Sequence, residues 1–77
     1  MLYKLSSDLS FEADESGDFH LCRDEDNWLV PMRIFMETVA VFIAPTNLED
    51  AIEVAADDAK SVLRELVAAG VLRPVAI

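Results

Sequence analysis

Apolar and polar residues alternate along much of the first part of the chain, and this period of two predicts β-strands. The alternation covers residues 9–13, resumes at residues 19–23 and gives a short third run at residues 28–30. Turn-forming residues separate these runs at 14–18, where a glycine can take a positive φ, and at 24–27. The pattern therefore predicts a three-stranded antiparallel β-meander.

From Pro31 onwards the apolar spacing changes to that of helices. Pro31 is well suited to the first position of a helix, and Pro45 stops the helix that follows. Between them, residues 32–43 are apolar almost all round, which predicts a central buried helix. The core is predicted to include these side chains: Phe35, Val39, Phe42, Leu63 and Leu66.

Two further helices are predicted in the second half of the chain. Asn47 or Thr46 caps a short helix, and residues 57–69 follow with apolar residues at helical spacing. Gly70 is predicted to end this third helix, and residues 72–77 to form an extended segment. The fold class is therefore α+β, a three-stranded meander followed by three helices in a single domain over residues 1–77.

Composition supports one folded domain. The chain has 77 residues, of which 53% are hydrophobic and 27% charged, so it is too apolar for intrinsic disorder. Its longest uncharged stretch is far shorter than the ~20 residues of a membrane-spanning helix, and its start does not resemble a signal peptide. Cys22 is the one cysteine, which excludes an intramolecular disulfide. We expect a soluble, cytoplasmic protein.

The net charge of −9, from 15 acidic and six basic residues, argues against nucleic acid and anionic membranes as partners. Residues 46–75 look like a winged-helix core, in which DNA-binding versions insert the start of the second helix into the major groove. Here that start carries Asp57 and Asp58, which would face the phosphates with like charge. A winged-helix-like scaffold with another role is therefore predicted.

The sequence offers little for catalysis or metal binding. His20 and Cys22 lie two apart on one strand, but no second Cys or His exists to complete a metal site, so they are interpreted as a packed pair. The acidic run at 24–27 resembles a calcium loop, yet Leu29 stands where glycine is needed and Phe35 where glutamate is needed. With a single histidine, no nucleophile and base can be assembled. No enzyme activity, cofactor or metal is predicted.

Trp28 is the aromatic residue with the strongest functional interest. It lies on a short predicted strand that Pro31 ends, and a proline is compatible with an edge strand but not with a central one. An edge strand exposes backbone groups that another chain can pair with. The alternative interpretation is that Trp28 covers the central helix.

The order of three strands and three helices resembles the PqqD-like domains, which recognise precursor peptides in ribosomal natural-product pathways. The resemblance covers about residues 9–75 and is carried by four segments: Phe19-His20-Leu21, Trp28-Leu29-Val30, Thr46 to Ile52 and Val62 to Leu72. It implies a non-catalytic module that captures the leader segment of a precursor peptide and presents it to a modifying enzyme or protease. In that family the leader adds as a strand to the third strand and packs over the third helix.

Carried onto this chain, the resemblance implies a peptide-binding site with two parts. The third strand would supply the backbone pairing and pockets through Trp28, Leu29 and Val30. On the third helix, Leu63 and Val67 would border an apolar groove. Lys60 and Arg64, spaced i, i+4, would meet carboxylates of the leader peptide.

A hypothesis from a different class remains open. Residues 1–27 carry a net charge of −6, gathered largely in two turns, which is typical of a small acidic inhibitor or antitoxin-like protein that blocks a basic partner. Steep salt dependence of binding would favour it, because exposed charges are screened at physiological salt. A homodimer formed through the edge strand is a third possibility.

Overall fold

The computed structural model describes residues 1–76, which form an α+β fold with two antiparallel sheets and three α-helices. The elements are β1 (Leu2–Leu5), β2 (Ser10–Ala13), β3 (Asp18–Arg23), β4 (Asp26–Pro31), α1 (Met32–Ile34), β5 (Thr46–Asn47), α2 (Leu48–Val54), α3 (Asp57–Ala68) and β6 (Leu72–Pro74). After α1 the chain continues through a π-helical turn, Phe35–Val39, and a 3₁₀ turn, Ala40–Ile43. We call these three stretches together the 32–43 segment.

The meander sheet consists of β2, β3 and β4 in that order, and its strands correspond to the three that were predicted. Gly17 has a φ of +89° in the first turn, as predicted, and the Asp14 carboxylate accepts hydrogen bonds from the N–H groups of Ser16 and Asp18. The second turn is tighter than predicted, because Arg23 already pairs with Asp26. The third strand is consequently six residues long rather than three.

A second sheet was not predicted. In this terminal sheet, β1 lies between β5 and β6 and is antiparallel to both. Leu2 and Leu5 are the first and last residues of β1, and Leu5 is buried in the core. The predicted extended segment at 72–77 is represented by β6, and its last residue, Ile77, lies outside the described residues.

The 32–43 segment differs from the regular, buried helix that was predicted. The Ala40 N–H donates to the Phe35 carbonyl oxygen, five residues back, which widens the helix before it tightens into the 3₁₀ turn. Only one side of the segment packs on the core, so Met36, Val41 and Ile43 are 65%, 47% and 63% exposed. The segment is therefore apolar on all its sides but buried on only one of them.

The second and third helices begin and end close to the predicted residues. The Asn47 side chain accepts a hydrogen bond from the Asp50 N–H at 3.1 Å, which caps α2 as predicted. Gly70, with a φ of +76°, ends α3, and the Val71 N–H donates to the Leu66 carbonyl oxygen at 2.9 Å. These local signals set the direction in which the chain enters β6.

The core lies between the inner face of the meander sheet and the helices. All five predicted core side chains are buried in one cluster: Phe35, Val39, Phe42, Leu63 and Leu66. Phe19 of β3 stacks on Phe35, with ring centroids 4.0 Å apart. Leu21 and Val30 bring the central and edge strands of the meander sheet into the same cluster. This packing fixes the position of β4 on the helices.

Candidate functional site

The backbone of β4 pairs on one side only, because β4 is an edge strand of the meander sheet. Just past β4, the Met32 N–H donates to the Gly17 carbonyl oxygen at 2.9 Å, in line with the register of β3 and β4. In an antiparallel ladder, every second residue forms the hydrogen-bonded pairs. Every second residue before Met32 faces the same way as Met32. Val30 and Trp28 therefore direct their backbone N–H and carbonyl groups towards β3.

The intervening residues of β4 direct their backbone groups away from the sheet. Asn27 and Leu29 each present one N–H and one carbonyl group at the open edge, and Pro31 contributes only a carbonyl group. The prediction of an edge strand is therefore right. The pairing groups, however, belong to Asn27 and Leu29 rather than to Trp28 and Val30.

The side chains of β4 alternate between two different environments. Val30 is only 1% exposed and belongs to the core, so the prediction that its side chain forms a pocket is wrong. Trp28 lies on the same inner face, packs against the core and is half-buried. Leu29 points to the outer face and is 57% exposed.

Arg23 of β3 connects the inner face of the meander sheet to the end of α3. Its guanidinium donates to the carbonyl oxygens of Gly70 and Ala69 at 3.2 and 3.0 Å and lies 5.3 Å from the centre of the Trp28 ring. Carbonyl groups at a helix C-terminus favour such a cation. Sequence reasoning missed this residue, although the two-residue alternation places it on the inner face, where a charge needs a partner.

The predicted residues of α3 do not form one surface. Leu63 is fully buried with 0% exposure, so the prediction that it borders a groove is wrong, and its role is to hold the core. Val67 and Lys60 are half-buried, whereas Arg64 is exposed. Among the predicted residues of α3, Lys60, Arg64 and Val67 are therefore the ones whose side chains can reach a bound molecule.

A polar network occupies the outer face of the meander sheet. His20 Nε2 lies 2.7 Å from Asp14 Oδ2, and His20 Nδ1 lies 3.3 Å from Asn27 Oδ1. The Asn27 amide in turn donates to Cys22 Sγ at 3.5 Å. His20 and Cys22 are half-buried on this face and lie outside the core cluster, so they are not a core pair, and the side chain of Asn27 connects them.

The same network shifts two titrations in opposite directions. Hydrogen bonds to Asp14 and Asn27 raise the pKa of His20 above its ordinary value of 6.5. The bond from His20, aided by the Asp18 N–H, lowers the pKa of the Asp14 carboxyl well below its ordinary value. Both acceptors favour the doubly protonated ring, so the network stabilises the imidazolium form of His20 relative to the neutral form.

Other classes of site are not found in the described part of the chain. Within residues 1–76, no group of three or more His, Cys, Asp or Glu side chains is arranged to hold a metal ion. No helix among these residues has both the length and the apolar character needed to cross a bilayer. No protein-family model, curated protein or solved structure matches the chain. Its function is therefore inferred from its own geometry.

Proposed function

We propose that this protein is a non-catalytic module that binds an extended peptide by adding it as a strand to β4. The single observation that supports this most directly is the open edge of β4, where Asn27 and Leu29 direct unpaired backbone groups outwards. As the PqqD-like resemblance implies, the bound peptide is the leader segment of a ribosomal precursor, and the module presents it to a modifying enzyme or protease.

Pairing at two residues gives four backbone hydrogen bonds, because each residue contributes one donor and one acceptor. Alternate peptide side chains then fall on the two faces of the sheet. On the inner side they meet the half-buried ring of Trp28, and on the outer side they meet Leu29 and the amide of Asn27. Such a set of contacts suits micromolar affinity, on the order of −8 kcal/mol.

The charges of α3 support a peptide that carries carboxylates. Lys60 and Arg64 lie one turn apart on α3, and Val67 follows one turn after Arg64 as a partly exposed apolar contact. Arg23 is already engaged by the carbonyl groups at the end of α3, so it positions Trp28 instead of binding the ligand. Recognition of the peptide therefore combines backbone pairing with a basic rim.

The order of elements also supports this proposal. A three-stranded antiparallel meander is followed by α1, α2 and α3, and α3 leads through Gly70 into β6. This arrangement is compatible with the winged-helix-like scaffold of the resembled family. The additional strand β1 pairs with β5 and β6 in a separate sheet and does not pair with β4.

The decisive test is a pair of variants at one residue. Leu29→Pro removes the outward N–H, and it should be tolerated because proline is compatible with an edge strand whose N–H faces solvent. Leu29→Ser keeps that N–H and removes the apolar side chain. The probe is a fluorescent synthetic peptide with the leader sequence of a precursor gene that neighbours the gene for this protein. Its binding is measured by fluorescence anisotropy, and changes in the backbone amide shifts of the protein are recorded by NMR.

We expect Leu29→Pro to weaken binding by about thirtyfold and Leu29→Ser by much less, because the backbone bonds carry recognition. The largest amide shifts should fall on β4 and Arg64. Equal binding by Leu29→Pro and the unchanged protein would contradict strand addition. So would shifts confined to the acidic turn at 14–18.

The acidic-inhibitor hypothesis has one observation in its favour, the exposed acids of the two meander turns. These turns lie at opposite ends of β3, so a basic partner has to span the whole strand to contact both. Asp14 is also engaged by His20 and Ser16. This function would be favoured if the affinity for a basic protein fell steeply with added salt and was unchanged by Leu29→Pro. If β4 instead pairs with a second copy, Leu29→Pro should convert a dimer to a monomer in sedimentation.

A further inference from the structure

A second surface lies between the 32–43 segment and α2, with the start of α3 as its floor. We call it the helical groove, and its volume is about 570 Å³. Six small or branched apolar side chains line it: Val41, Ala51, Val54, Ala55, Ala56 and Ala59. Val54 is 86% exposed and Val41 is 47% exposed, so the groove presents apolar side chains to solvent.

Two of the polar side chains that line the helical groove are already bonded within the protein. The Thr46 hydroxyl lies 2.7 Å from the Val41 carbonyl oxygen and 3.0 Å from that of Ala44. The Asn47 side chain caps α2 by accepting from the Asp50 N–H. An extended peptide would find few polar partners for its backbone in this mainly apolar lining, whereas a helix satisfies its backbone internally.

The residues around the helical groove carry negative charge. Residues 46–59 contain five acids and no base: Glu49, Asp50, Glu53, Asp57 and Asp58. Each of these five residues is exposed. On the opposite wall, Arg33 is engaged by Asp58 at 2.8 Å and by Glu37 at 3.6 Å. A partner that covers the groove has to bring positive charge.

We propose that the helical groove binds the apolar face of a cationic amphipathic helix carried by a partner protein. The small side chains of Ala51, Ala55 and Ala59 let such a helix approach closely, and its flanking lysine or arginine side chains meet the acids of α2. A second copy of this chain is a poor occupant, because like charges on two acidic grooves repel. The groove is separate from β4 and functions whether or not β4 binds a peptide.

The test uses a synthetic helix of about 18 residues, long enough to be helical in water, with leucines at i, i+3, i+4 and i+7 and lysines elsewhere. Its binding is measured by fluorescence anisotropy. Val54→Ser should weaken binding about tenfold, because it removes an exposed apolar contact of the groove. Leu29→Ser is the matched control, since Leu29 is a comparably exposed apolar residue on β4.

The charge requirement is tested with the same helix carrying glutamate in place of lysine, which we expect not to bind. Asp50→Asn should weaken the lysine helix about twofold to threefold and reduce the salt dependence of binding. Amide shifts should map to α2 and the 32–43 segment. The proposal is overturned if Leu29→Ser weakens binding as much as Val54→Ser does, if the glutamate helix binds equally well, or if sedimentation shows self-association that Val54→Ser abolishes.

Discussion

The open edge of β4 and the helical groove differ in the state of their backbone. At β4, Asn27 and Leu29 offer unpaired N–H and carbonyl groups, so the edge favours an extended partner that needs the same bonds. In the groove, Thr46 and Asn47 bond within the protein and α2 satisfies its own backbone, so apolar side chains do the binding. If both proposals hold, the bonding state of the backbone at each surface selects the conformation of its partner.

The two proposed surfaces also differ in the residues of α3 assigned to them. The first turn of α3 carries Asp57 and Asp58 near the groove, whereas Lys60 and Arg64, the proposed contacts of the peptide, follow along the same helix. Both proposals therefore involve α3. Variants that change one surface and leave the other intact test whether the two are independent.

The largest loss of stability is expected from Leu63→Ala, because Leu63 is a residue of α3 whose side chain is fully buried in the core. Both proposals involve α3. Removing a buried leucine side chain costs about 2–5 kcal/mol, which is comparable to the whole stability expected of a domain this small. The free energy of unfolding, measured by urea denaturation, should fall by about that amount, and both surfaces should lose binding together.

Arg64→Ala on the same helix is the control for that prediction. Arg64 is exposed, so its truncation should leave unfolding within about 0.5 kcal/mol of the unchanged protein. A Leu63→Ala variant that unfolds normally but loses peptide binding would restore Leu63 as a site residue.

A smaller effect, confined to the β4 side, is expected from Arg23→Met. This change keeps the length of a side chain that is only 16% exposed but removes its bonds to the carbonyl groups of Ala69 and Gly70. Hydrogen bonds to charged groups contribute about 1.5 kcal/mol or more, so the midpoint of urea unfolding should fall accordingly. Peptide binding at β4 should weaken because Trp28 loses its support, whereas helix binding at the groove should not change. Equal losses at both surfaces would show that they are coupled.

The smallest expected effect is a dependence of folding stability on pH. It comes from the hydrogen bonds of His20 to Asp14 and Asn27 on the outer face of the meander sheet. Because folding raises the pKa of His20, the contribution of His20 to folding stability is fully present below pH 6.5. This contribution is lost as the pH rises through the raised pKa. Because folding lowers the pKa of Asp14, its stabilisation is present above 3.8 and is lost in stronger acid.

The two effects overlap between about pH 4 and pH 6.5, so the stability advantage over His20→Gln should be greatest there. Thermal melting of both proteins across the pH range measures it, and the advantage should shrink as the pH rises above 6.5 and through the raised pKa of His20. A constant difference across pH would contradict the proposed imidazolium. Helix binding at the groove should show no response to His20→Gln.

Local signals explain why α2 and α3 could be predicted from the sequence. The bonds at Asn47 and Gly70 join residues three to five positions apart, and the apolar spacing of α3 matches the face that is buried. The 32–43 segment could not be predicted in the same way. Its apolar residues indicate a helix but do not distinguish burial in the core from a surface that a partner covers, and the widening at Phe35 to Val39 depends on what the segment packs against.

The site was predictable to a similar extent. Pro31 and the brevity of the predicted strand indicated that β4 is an edge, although β4 is six residues long. The assignment of the free backbone groups to Asn27 and Leu29 depends on the register of β4 with β3. The bond between Arg23 and the end of α3 joins residues that are more than forty positions apart, and no local pattern contains it. The helical groove likewise depends on how separate helices meet.

The terminal sheet has a consequence for the order in which the fold forms. Leu2 accepts a hydrogen bond from the N–H of Val75, more than seventy positions away along the chain, and β5, the other neighbour of β1, is more than forty positions away. Contacts between residues so far apart require the closure of a long loop, whose entropy is lost before the contact forms. The strands of the meander sheet are joined by short turns instead. We therefore expect the meander sheet to form before the terminal sheet when the protein refolds.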